Sequence, residues 1–199
     1  MKKLGFLMLL MAIALMLRGT ALATPPQGGG DYSVYFTTYY SNANTANAPD
    51  ATVRIINDGD TGNNLDAYIF VFDDSEELTE CCDCEVTPDG LLSESVNKNL
   101  TANPLTGIKP TRGVIKVISS DEECQEGPNQ APCSGFGTAG LHAWATHVQK
   151  LTSGYAVTES PFADSNLSPT EQQLLYNLCY YDQLLSGKPC TCTPEDQDF

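Results

Sequence analysis

The chain has 199 residues and carries 25 acidic side chains against 10 basic ones, a formal net charge of −15. That excess repels nucleic acid backbones and anionic lipid, which argues against both as partners. Apolar residues make up 41%, with nine tyrosines and seven phenylalanines, so wholesale disorder is not expected.

Lys2 and Lys3 precede an apolar run from Leu4 to Leu17, and Ala21-Leu22-Ala23 supplies a small-x-small cleavage pattern. Residues 1–23 therefore read as a secretory signal peptide, too short and wrongly flanked for a spanning helix. Its removal takes three bases and no acid, leaving 25 acids against 7 bases and a net charge of −18. The expected location is secreted: extracellular, at the cell surface or periplasmic. No membrane insertion is expected after cleavage.

Residues 24–50 read as a flexible leader with an aromatic strand inside it. Pro25 to Gly30 is Gly-rich, and Tyr32 to Tyr40 (YSVYFTTYY) alternates with aromatic and β-branched residues. Residues 51–199 read as a disulfide-stapled β domain. Thr52–Ile56 and Leu65–Phe72 are predicted strands, and the turn formers in Asn57–Asn64 predict a hairpin between them. Both alternate faces of Ala67–Phe72 are apolar, which predicts a central strand covered on both sides.

Glu85 to Arg112 has little periodicity and is expected to be irregular. Gly113–Ser119 is a predicted strand. Leu141–Leu151 fits a helix face or a strand face, and the Ser153-Gly154 turn before Tyr155–Thr158 favours a hairpin. Ser168, Pro169 and Glu171 form a capping box with proline at the first helical position, so a helix is predicted over 168–186. Leu174, Leu175, Leu178, Tyr181, Leu184 and Leu185 are its expected buried stripe, and Gly187 and Pro189 its stop. The fold class is mainly β: sandwich-like antiparallel sheets with long disulfide-stapled loops and one C-terminal α-helix.

Eight cysteines fall into three groups: Cys81, Cys82 and Cys84; Cys124 and Cys133; Cys179, Cys190 and Cys192. An exported chain permits their oxidation. Adjacent cysteines seldom bond to each other, so the first group must reach elsewhere. Cys124 and Cys133 flank a Gly/Pro loop and are expected to close it, which leaves three cysteines to meet three. Each such bridge closes about a hundred residues, worth up to ~4–5 kcal/mol in the chain-entropy model. The pairing within the three is left open. A metal-thiolate site is disfavoured, because CCxC and CxC lack the CxxC knuckle and no histidine lies near them.

The stretch Phe72–Leu91 (FDDSEELTECCDCEVTPDGL), with WATHVQ at Trp144–Gln149 and the terminal CTC at Cys190–Cys192, resembles an uncharacterised group of secreted, cysteine-rich bacterial proteins. The resemblance implies export and disulfides. It brings no assigned activity and no catalytic or cofactor-binding residues.

Hints of chemistry are weaker. Gly135 to Gly140 matches GxGxxG without the strand-then-helix setting that a dinucleotide site needs, and reads as a loop. His142 and His147 are the two histidines, and Ser134 lies in CSGFG rather than a nucleophile elbow. Asp58, Asp60, Asn63 and Asp66, with Asn64, place hard oxygens in one loop, a candidate calcium site without the EF-hand spacing. Asp73, Asp74, Glu76 and Glu77 form a second acidic cluster, expected to be a solvated loop.

The expectation is a secreted, non-enzymatic structural or adhesive module. One form of it is an extracellular filament subunit that self-associates by donating its N-terminal strand to a neighbour's sheet edge. The alternatives are a secreted hydrolase using loops 85–112 or 124–140, and a carbohydrate-binding protein using Tyr39 and Trp144.

Overall fold

Apolar residues alternate with polar ones along most of the chain, and such segments bury one face by stacking sheet on sheet. The structure is a computed structural model, and it describes residues 34–121, 136–187, 190 and 192. Nine strands run through them: β1 (Tyr35–Ser41), β2 (Thr52–Asn57), β3 (Leu65–Asp73), β4 (Leu78–Val86), β5 (Leu91–Ser95), β6 (Arg112–Ser120), β7 (Leu141–Lys150), β8 (Tyr155–Pro161) and β9 (Ala163–Asp164). One α-helix, α1 (Pro169–Ser186), follows.

The first sheet has the order β4-β3-β6-β1-β9 and the second β5-β2-β7-β8, with every pairing antiparallel. The fold is therefore mainly β, with two sheets and a C-terminal helix, as expected. Val53 and Ile55 of β2 and Ala143 and Ala145 of β7 meet Ala67, Ile69, Val71, Ile115 and Val117 of the first sheet in one core. On the other face of the first sheet, Tyr68, Phe70 and Ile118 pack with Leu175, Tyr176 and Cys179 of α1. The two apolar faces of β3 are thus explained: one meets the second sheet and the other meets the helix.

β2 and β3 are not a hairpin. They lie in different sheets, and Asn57–Asn64 is an arch between the two. Their side-chain patterns carry the reason. β3 is apolar on both faces and suits the helix-covered sheet, whereas β2 turns Thr52 and Arg54 away from the core and suits the sheet left uncovered. The buried Asn57 side chain braces the arch, donating to the carbonyls of Asn63 and Val86, each at 2.9 Å.

Glu85–Arg112 is also more ordered than its sequence predicts. It holds the end of β4, all of β5 and a π-helical turn over Val96–Leu100, with Val96 and Leu100 buried. Elsewhere the expected hairpin holds: β7 and β8 pair from Trp144↔Pro161 to Lys150↔Tyr155. Beyond Pro161 the chain changes sheet. Phe162 is buried, its N–H donates to Ala143 O at 2.9 Å, and Ala163 pairs with Thr37 of β1. β1 is itself an interior strand, paired with β6 from Tyr35↔Ile118 to Ser41↔Arg112.

α1 begins as its capping box requires. Ser168 has extended backbone and its Oγ accepts from the Glu171 N–H at 3.1 Å. Gly187 ends the helix in the left-handed conformation, φ 59°. The buried face differs from the leucine stripe. Leu175, Tyr176, Cys179 and Asp182 face the sheet, while Leu174, Tyr181, Leu184 and Leu185 are exposed. Cys179, bonded to Cys81 of β4, lies on the face turned to the sheet. Among the described residues no helix is long and apolar enough to cross a membrane.

Candidate functional site

β4 carries Thr-Glu-Cys-Cys-Asp-Cys along the edge of the first sheet, and alternation sends neighbouring side chains to opposite faces. Cys81 faces α1 and bonds to Cys179, while Cys82 bonds to Cys190 and Cys84 to Cys192. Three cysteines do meet three, with sequence separations of 98, 108 and 108 residues. Cys82 and Cys84 belong to the core between the sheets, and Cys190 and Cys192 pack against that core. The helix is therefore tied to the outer face of β4 and the tail to its inner side. Cys124 and Cys133, expected to pair with each other, lie outside the described residues.

Two carboxylates sit inside this knot. Glu80 is 2% exposed and Asp182 is 3% exposed. Burial, then the charge of Asp182, pushes the Glu80 carboxyl up to about 8. Burial likewise raises Asp182, opposed by a hydrogen bond to the Cys81 backbone. Asp182 Oδ1 has no hydrogen-bond partner among the described residues. Glu80, Cys82 and Cys190 bring ligand atoms within 4.8 Å of one another, but both sulfurs are spent in the disulfide. The arrangement is a bridge beside a protonated acid rather than a thiolate metal centre.

The histidines lie apart. His142 is on the outer face of the second sheet, 3.2 Å from Asp58 Oδ2 and with its ring 6.3 Å from Trp144. His147 is 4% exposed, and its Nε2 lies 2.8 Å from Ser160 Oγ. Tyr39 stacks over the His147 ring at 4.3 Å. Nδ1 is buried. Burial, opposed by a hydrogen bond to the Tyr39 backbone, lowers the pKa of this ring and favours its neutral form. Tyr39 and Trp144, the candidate glycan contacts, are on different sheets. Ser134 and Gly135 lie outside the described residues, and Gly140 leads into strand β7 rather than a helix.

Among the described residues Asp58, Asp60 and Asp66 do not bring carboxylate oxygens within 4.8 Å of one another. Asp58 Oδ1 accepts from the Asp60 N–H at 3.0 Å while its other oxygen faces His142. The Asn63 carbonyl accepts from Asn57, and Asp66 is already within β3. In the second acidic cluster, Asp73 Oδ1 accepts from the N–H groups of Ser75 and Glu77, and Asp74 pairs with Arg112. These are turn-forming roles.

Sequence reasoning missed Glu80, Asp182 and Ser160. Glu80 adjoins the cysteine run, and Asp182 falls three residues after Cys179, one turn on along the same face. That spacing was the available signal. Ser160 had none, because its partner is reached only through the β7–β8 register.

No family model matches the sequence, and no curated protein matches it. A solved crystal structure of Thermotoga maritima 1070 aligns over 69% of this chain and 99% of its own, at 12% identity and a TM-score of 0.43. That likeness carries no functional inference.

Proposed function

We propose that this is an exported, non-enzymatic structural or adhesive module of the cell exterior. The observation that supports it is the triple covalent attachment of helix and tail to one strand. Such bonding resists extension and proteolysis, and it persists where the surroundings are oxidising. The signal-like residues 1–23 and the acidic surface fit the same reading. Assembly by strand donation takes a specific form here: β1 would leave its slot between β6 and β9 and enter the same slot of a neighbour. Electron microscopy and sedimentation of material collected from producing cells test the reading. Ordered assemblies or surface-bound protein are expected, and free monomer in the medium overturns it. Deletion of Asp31–Tyr40 that leaves assembly intact removes the strand-donation form.

A hydrolytic reading has one observation in its favour, the Ser160 Oγ against a buried His147 whose neutral form is favoured. In that role His147 Nε2 takes the Ser160 proton as Oγ attacks an ester carbonyl. Nε2 then returns the proton to the departing alcohol, and water releases the acyl group by the same route. A fluorophosphonate probe tests it by mass spectrometry. An adduct on Ser160 that is lost in His147→Gln supports it, and an unlabelled wild-type protein overturns it.

A further inference from the structure

We infer that the outer face of α1 is a self-association surface whose occupant is α1 of a second copy of this chain. The inference rests on the structural reading above and deepens it by naming the partner. Leu174, Leu178, Tyr181 and Leu185 recur at i, i+4, i+7 and i+11, which places them along one side of the helix. Of these, Leu174 is 49% exposed, Tyr181 44% and Leu185 70%, while Leu178 between them is half-buried. Single exposed leucines are ordinary, but a contiguous stripe over three turns marks a binding surface.

Charge selects the occupant. The chain carries a formal net charge of −15, so contact between two copies is opposed by repulsion over most of the surface. α1 is different. Its 18 residues hold two acids and no base. Glu171 is engaged by Lys116 and Tyr35, and Asp182 is buried against the sheet. The described residues of α1 therefore put no unpaired charge on its outer side, and two copies meet there with the least local repulsion. A basic partner gains nothing from such a face.

The spacing is that of a coiled-coil seam, and a two-fold axis lets the same stripe serve both copies. The surface is also rigid beforehand. Cys179 anchors the helix to β4, and Ser168 caps it, so little ordering is lost on docking. Leu174 to Leu185 spans about 16 Å, and a single helix stripe of that length covers less than the roughly 800 Å² per partner of a standard interface. A reversible dimer in the micromolar range is expected.

The test uses the full mature chain with its disulfides intact, in analytical ultracentrifugation up to about 100 µM. Wild type should dimerise, and Leu178→Glu and Leu185→Glu should weaken the dimer by at least about tenfold. Leu151→Glu, at an exposed site in the β7–β8 turn, should not. Mixing Leu178→Lys with Leu178→Glu should restore association. A monomeric wild type overturns the inference. So does a stripe covered by the chain's own residues, which would show as lower melting of the glutamate variants without any dimer to lose. Native assemblies that survive Leu178→Glu leave the structural reading standing and remove this contact alone.

Discussion

Cys81 and Cys82 are neighbours in β4, yet their disulfides leave by opposite faces of the sheet, one to the helix and one to the tail. Three bridges along four residues of one strand are interleaved, and their closeness changes what each contributes. Once Cys82–Cys190 exists, the ring left for Cys81–Cys179 to close holds about a dozen residues rather than about a hundred. The chain-entropy estimate falls from about 4.7 to about 3 kcal/mol, and for Cys84–Cys192 to about 2. Paired serine variants at 81/179 should therefore cost more stability than at 84/192, and each less than an isolated long-range bridge. Urea denaturation of the two double variants checks the order, and the reverse order would show that strain or packing dominates.

Protonation of the knot predicts a pH dependence. Burial, then the charge of Asp182, raises the Glu80 carboxyl from its ordinary 4.5 to about 8. The folded state thus holds a proton that the unfolded chain releases. Stability is fully present below about pH 4.5 and falls as pH rises towards 8, by a few kcal/mol at most. Asp182 shifts in the same direction and adds to the slope. Glu80→Gln should flatten the fall between pH 5 and about 8. Denaturant midpoints across that range measure it, and an unchanged slope in the variant would assign the effect elsewhere.

Gly113 sits in β6 opposite Asp73, where a Cβ would meet the Phe72 carbonyl oxygen at 1.8 Å and Tyr40 Oη at 2.8 Å. Neither neighbour can yield, since Tyr40 Oη also donates to that carbonyl. Gly113→Ala should force β3 and β6 apart at this end and cost about 2–3 kcal/mol. Thermal unfolding reads the loss, and hydrogen exchange should place it at Phe72 and Val114.

Ser168→Ala removes the oxygen that accepts from the Glu171 N–H. The expected cost is about 1 kcal/mol. Exchange should quicken in the first turn of α1 and not around Cys179, where the disulfide holds the helix.

Local chemistry was legible in the sequence wherever it is enforced by neighbours in the chain. Ser168, Pro169 and Glu171 define the start of α1, and the doubly apolar run at Ala67–Phe72 placed β3 at the centre of a covered sheet. Cysteine grouping alone brought the middle of the chain to its tail. What the sequence concealed depends on the third dimension. Asn57–Asn64 encodes a reversal, and a reversal serves an arch between sheets as well as a hairpin. β4 was obscured because its buried positions are held by cysteines, Thr79 and one acid, Glu80, rather than by valine and isoleucine. The leucines of α1 outnumber its true buried face, which carries Cys179.

Cys179, Cys190 and Cys192 are made roughly a hundred residues after the strand they bond. Until then Cys81, Cys82 and Cys84 wait as thiols on a nascent chain that has no correct partner for them. Closure of the knot consequently reports that translation has passed residue 192. A product stalled before residue 179 displays three unpaired sulfhydryls within four residues, a chemical flag by which an oxidative folding catalyst or a protease can sort such fragments from chains extended past the knot.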